Sequence, residues 1–113
     1  MAVTITQLFT PVVLPDAVDV LFTMPVAPAS TVLKNGRVRL TNTSGSAVTV
    51  TLYADASATA SSAANCCLDD YSIAAGEFLD LDIPTLRAGD TLRGFASAAS
   101  SVTMHELGGT LFS

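Results

Sequence analysis

His105 is the single histidine of the chain, and Cys66 and Cys67 stand side by side. These are the residues whose types could do acid–base, nucleophilic or metal chemistry. A nucleophile–base pair needs a histidine with an orienting carboxylate and a Ser or Cys in reach. Serine and aspartate are plentiful, but no nucleophile-elbow sequence surrounds any of them. His105 alternates with Met104 and Glu106 as residues of a strand do, and reads as a surface or packing histidine. A zinc site calls for two separated pairs of ligands, and one vicinal cysteine pair with one histidine falls short. Neighbouring side chains on a strand point to opposite faces, so a disulfide between Cys66 and Cys67 would need distorted backbone. Two reduced thiols behaving as small hydrophobes are expected.

Asp69, Asp70, Glu77, Asp80 and Asp82 form the acidic concentration. Calcium loops cluster carboxylates, but the EF-hand spacing is absent. Asp80 and Asp82 share one strand face opposite Leu79, Leu81 and Ile83. That pattern predicts a solvated face, or one that meets a basic partner. No catalytic, cofactor-binding or metal-binding residue is assigned, and an enzyme is not expected.

The elements that carry these residues follow from hydrophobic period. Short runs alternate apolar and polar residues and are bounded by Gly, Pro, Asn and Ser, the mark of half-buried strands. The first run is residues 3–9, with Pro11 and Pro15 making 10–16 a connection or an edge. The second, 17–23, sets Val18, Val20 and Phe22 against Asp19, Leu21 and Thr23. In residues 36–54, Val38 and Leu40 oppose Arg37, Arg39 and Thr41. After a Ser-Gly turn, Val48, Val50 and Leu52 oppose Thr49, Thr51 and Tyr53, so the unit reads as a β-hairpin. Further runs cover 66–73, 77–83, 91–98 and 102–107.

Together these give about eight short antiparallel strands and no convincing helix, a single all-β sandwich domain over residues 1–113. A jelly roll is expected from strand number, with an immunoglobulin-like sandwich as the alternative. The Ala/Ser-rich stretch at about 55–65 lacks an apolar stripe and reads as a flexible loop with room for one helical turn. The tail at about 108–113 carries Leu111 and Phe112 and is expected to dock, because an exposed apolar pair invites aggregation.

Composition narrows the function classes. Of 113 residues, 50% are hydrophobic and only 13% charged, against about 25% in an ordinary soluble domain. A surface so poor in charge is weakly protected against association, which points to a homo-oligomer, dimer or trimer. The net charge of −5 is the wrong sign for neutralising phosphates, so no nucleic-acid partner is expected. No segment reaches the roughly 20 apolar residues that span a bilayer, and no membrane role is expected. Thr4, Thr6 and Gln7 interrupt any apolar leader, which predicts assembly in a cytoplasm. No small-molecule substrate or cofactor is expected.

The stretch from Arg39 to Tyr53, Arg-Leu-Thr-Asn-Thr-Ser-Gly-Ser-Ala-Val-Thr-Val-Thr-Leu-Tyr, resembles small virion proteins of tailed bacteriophages. The resemblance continues through Ile73-Ala-Ala-Gly-Glu77, then Leu86-Arg-Ala-Gly-Asp-Thr-Leu92 and Ala96-Ser-Ala-Ala-Ser-Ser-Val-Thr103, covering about two-thirds of the chain. Each turn is generic β-turn chemistry, and the specificity lies in their succession. The resemblance implies a β-sandwich component of a virion: a decoration or cement protein that binds the major capsid protein on the capsid exterior and reinforces the shell. Its nearest alternative is a tail, fibre or baseplate accessory. It transfers no residue role. From another class, a carbohydrate-binding module would need exposed aromatics as sugar platforms. The chain has no Trp, and its tyrosines are Tyr53 and Tyr71.

Overall fold

The computed structural model describes residues 3–4, 11–24, 32–55 and 61–112, with side chains described from 11–24, 36–55 and 61–109. The strands are β1 (Val3–Thr4), β2 (Val12–Val13), β3 (Asp19–Thr23), β4 (Val32–Asn42), β5 (Val48–Asp55), β6 (Cys66–Ile73), β7 (Phe78–Asp82), β8 (Leu86–Arg87), β9 (Thr91–Ala96) and β10 (Val102–Phe112). A 3₁₀ turn, Ala63–Asn65, precedes β6.

The strands form two antiparallel sheets. One runs β1-β10-β4-β7, with β2 also on β10 and β8 also on β4; the other runs β3-β9-β5-β6. The pairs β1 and β2 share one lane and β7 and β8 another, which leaves eight lanes. First then pairs with last, second with seventh, third with sixth and fourth with fifth. The β10–β4 and β9–β5 pairings roll that long hairpin into a sandwich. This is the jelly-roll order, two Greek keys wrapped over one core, and the immunoglobulin-like order is not formed.

The core comes from the inward faces of both sheets. Val38, Leu40, Val102 and Met104 from the first sheet meet Val50, Leu52, Leu92 and Ala96 from the second, all at most 1% exposed. Gly94 in β9 is fixed by close approach: a Cβ there would overlap the Thr51 carbonyl oxygen and the Leu52 side chain.

The hairpin expected over 36–54 does not form. β4 and β5 are consecutive and both alternate, but they lie in different sheets, and the connection between them crosses the sandwich. Inward faces of opposed sheets carry the same period-2 pattern as one face of a hairpin, so alternation cannot separate the two. The crossing is set by Asn42, fully buried, whose Oδ1 accepts from the Ser44 amide at 2.9 Å and the Ser44 hydroxyl at 2.7 Å. That Asx turn directs the chain away from its own sheet.

The faces expected for 17–23 also differ. Val18 and Val20 are exposed, while Leu21 and Phe22 are both buried. A register shift between Val20 and Phe22 puts an extra residue into β3, and a bulge re-aims the side chains that follow it. Of the run at 3–9, only Val3–Thr4 lies within the described residues. The segment expected as connection or edge holds β2, which pairs with β10. Residues 108–112 continue β10, with Leu111 in register with Leu33 and Thr4. Of the Ala/Ser-rich stretch, residues 56–60 lie outside the described residues, and the 3₁₀ turn Ala63–Asn65 occupies its end.

Candidate functional site

On the outer face of the first sheet, the register places Arg37 beside Asp82 and Arg39 beside Asp80. Side chains directly opposite on antiparallel strands lie within reach of each other, so opposite charges here pair by construction. Arg39 Nε donates to Asp80 Oδ1 at 2.7 Å and Nη2 to Oδ2 at 2.9 Å, a bidentate fork. The hydrogen bonds from Arg39 hold the Asp80 carboxyl below the usual carboxylate range, against the pull of partial burial, and the guanidinium is held more firmly charged in return. The Arg39 guanidinium also lies over the Phe78 ring, 4.1 Å from its centroid. Arg37 and Asp82 sit further apart, at 3.8 Å, in solvent. The basic partner of the Asp80–Asp82 face therefore belongs to the same sheet.

His105 is exposed on β10, in register with Arg39 on its other side. Cys66 and Cys67 are on β6, at the edge of the second sheet. The fold thus sets the histidine and the thiols on different sheets. Both thiols are free. Cys66 Sγ donates to the Leu68 carbonyl at 3.4 Å and Cys67 Sγ to the Leu52 carbonyl at 3.6 Å. Burial, and then the neighbouring Cys66, push the Cys67 thiol up to about 11. A thiol so placed is a poor nucleophile at neutral pH. Both cysteines line a shallow cleft of about 450 Å³ with Tyr53, Ala63, Leu68 and Asp69.

The remaining acidic candidates are dispersed. Asp69 and Asp70 are exposed on β6, and Asp70 adopts a φ of 47° with its amide donating to Thr51 Oγ1 at 3.0 Å. Glu77 closes the turn before β7, its amide donating to the Ala74 carbonyl at 3.0 Å. Among the described residues, no three His, Cys, Asp or Glu side chains lie close enough to hold a metal ion.

A polar cluster that the sequence reading passed over lies at the end of β5. Asp55 is 1% exposed; its Oδ2 accepts from the Ser61 hydroxyl at 2.5 Å and stands 3.8 Å from Arg93 Nε. Asp55 Oδ1 and the hydroxyl of Thr91, its register partner on β9, are buried without a hydrogen-bond partner. Arg93 interrupting the apolar run of β9 was the available signal, because a buried-strand arginine needs an acid near it. Beside this cluster a second cleft of about 470 Å³ is lined by Val18, Asp19, Val20, Ser61 and Arg93.

Among the described residues, the exposed large apolar side chains are Val13, Val18, Val20, Tyr71, Phe78 and Leu107. Val13, Val18 and Val20 follow one rim, where the chain leaves β10 for β9. Leu14 N donates to the Val102 carbonyl at 2.8 Å, and Ala96 N to the Pro15 carbonyl at 2.8 Å. Chemically, the described surface offers contacts: apolar side chains, paired charges and open sheet edges. Compared with models of protein families, with curated proteins and with solved structures, the chain matches none.

Proposed function

We propose that this chain is a structural virion protein of a tailed phage that binds the capsid exterior and reinforces the shell, as a decoration or cement protein does. The observation that carries the reading is the surface. Among the described residues, six large apolar side chains are exposed, on a sandwich with only 13% charged residues. Three of its five basic side chains, Arg37, Arg39 and Arg93, are held by acids of the same chain. Exposed apolar surface that is poor in charge, with most of its basic groups paired within the chain, is suited to burial against protein. Jelly rolls occur in viral capsid domains and also in lectins and cupins, so the fold supports the reading by analogy only. The succession of turns resembling phage virion proteins supports the rest.

In this reading the chain forms a dimer or trimer, assembled in the host cytoplasm, and repeats one modest contact with the major capsid protein over the lattice. Symmetry multiplies that contact, and avidity makes it durable. The chain performs no catalysis and takes no cofactor, nucleic acid, membrane or small-molecule substrate. Sugar recognition is disfavoured by Tyr71 and Phe78, the exposed aromatics among the described residues, which lie on strands of different sheets and form no common platform.

Gold-labelled antibody against the chain, imaged on intact particles by electron microscopy, tests the assignment. Labelling spread over the head is expected. Labelling confined to tails would replace the capsid reading with that of a tail, fibre or baseplate accessory.

A further inference from the structure

We infer that Asp55 and Thr91 form an internal site that binds a single ordered water between β5 and β9. This goes beyond the virion reading and does not rest on it.

Val50 and Leu52 of β5, and Leu92 and Ala96 of β9, turn into the core. The residues that alternate with them therefore face outward from the second sheet. Asp55 and Thr91 belong to that outward set and are directly opposed in the β5–β9 register. Outward residues at the ends of strands are ordinarily solvated, yet Asp55 is 1% exposed and Thr91 8%. Ser61 closes over the pair, its hydroxyl donating to Asp55 Oδ2. Beneath that cover, Asp55 Oδ1 and Thr91 Oγ1 are buried and make no hydrogen bond within the chain. Buried polar atoms are nearly always satisfied, and those that the protein does not pair are met by ordered water.

Charge, size and geometry each select water here. The Asp55 carboxylate stands 3.8 Å from Arg93 Nε, so its charge is already opposed. A cation at the site would meet the guanidinium, and an anion would meet the carboxylate. The low exposure of both residues leaves no opening for a larger neutral molecule. Side chains directly opposite on antiparallel strands have Cβ atoms about 4.5–5.5 Å apart, which puts the two oxygens within reach of one molecule that bonds to both. Asp55 Oδ1 only accepts, whereas the Thr91 hydroxyl can donate. One water donates to the first and accepts from the second, two of the roughly two to four hydrogen bonds that a buried water makes. The bridge ties the end of β5 to the start of β9 through side chains, in addition to the backbone ladder.

A crystal structure of the full chain at about 1.2 Å tests the site directly. A water is expected within about 2.5–3.0 Å of both Asp55 Oδ1 and Thr91 Oγ1. In solution, magnetic relaxation dispersion of water counts the long-lived internal waters, and Thr91→Val is expected to hold one fewer than the wild type. Thr91→Ser keeps the hydroxyl and is expected to keep the water. A direct hydrogen bond from the Thr91 hydroxyl to Asp55 Oδ1 in the crystal, or no density between them, would overturn the inference without recourse to any variant. So would an unchanged water count in folded Thr91→Val. A peak that thallium replaces, read by its anomalous scattering, would make the ligand a monovalent cation and overturn it equally.

Discussion

The Asn42 side-chain amide donates to the Ile73 carbonyl at 2.9 Å, joining the end of β4 in one sheet to the end of β6 in the other. The same amide reaches the Ser46 carbonyl at 2.8 Å, and the Asn42 backbone carbonyl accepts from the Gly76 amide at 3.0 Å. One buried side chain therefore sets the crossing between sheets and ties it to the β6–β7 turn. Buried amides persist only where their hydrogen bonds are satisfied, and here both ends of the group are used.

Asn42→Ala should destabilise the fold by about 2–3 kcal/mol, because it leaves the Ile73 carbonyl and the Ser44 amide buried or half-buried without partners. Chemical denaturation followed by fluorescence or circular dichroism measures this. A loss below about 0.5 kcal/mol would mean that the crossing is held by something other than this residue.

Leu40 and Leu52 are 0% exposed and face each other's sheet. Truncating either to Ala removes buried methyl groups and leaves a cavity, with an expected cost of about 2–5 kcal/mol each. An unchanged denaturation midpoint in both variants would show that the strand faces assigned here are reversed.

The Arg39–Asp80 fork makes stability depend on acid pH. The folded pKa of Asp80 lies below its unfolded value of roughly 3.9. Its contribution is therefore complete above about pH 4 and is lost as pH falls through the lower folded pKa. Melting temperatures of the wild type and of Asp80→Asn, compared between pH 5 and pH 2, should converge as pH drops. A constant difference over that range would show that the pair does not titrate as described.

Cys67 should alkylate slowly at pH 8 and faster with each step toward pH 11, since only the thiolate reacts and burial holds the proton on. Iodoacetamide labelling resolved by peptide mass spectrometry reads the two cysteines separately. Rapid labelling of Cys67 at neutral pH would contradict the buried position, and a mass two daltons low would show a disulfide in place of the two free thiols.

Much of the fold was legible because period-2 alternation reports half-burial directly, and seven of the expected runs begin or end within a few residues of strands. Pairing was less legible. Val38 and Leu40, like Val48, Val50 and Leu52, announce that they face a core, but not whether the core lies between sheets or under one. The hairpin reading failed there, and the decisive residue, Asn42, looked like ordinary turn chemistry. The bulge at Leu21 likewise left no mark in composition, since inserting a residue into an apolar run leaves the run apolar. At the surface, Asp80 and Asp82 were legible as one face, but their partners depended on strand order. Asp55 sat at the start of an Ala/Ser stretch and gave no sign of burial. Its pairing with Arg93 needed the β5–β9 register, which no local pattern contains.

The central claim, reinforcement of a phage shell, is tested most directly by adding the purified protein back to capsids of the same phage that lack it. The heat resistance of the shell is then measured as a function of added protein. The account predicts that the shell's disruption temperature rises with added protein and levels off once a fixed number of copies is bound per lattice unit. An unchanged disruption temperature at saturating protein, with no copies retained on washed capsids, would contradict it.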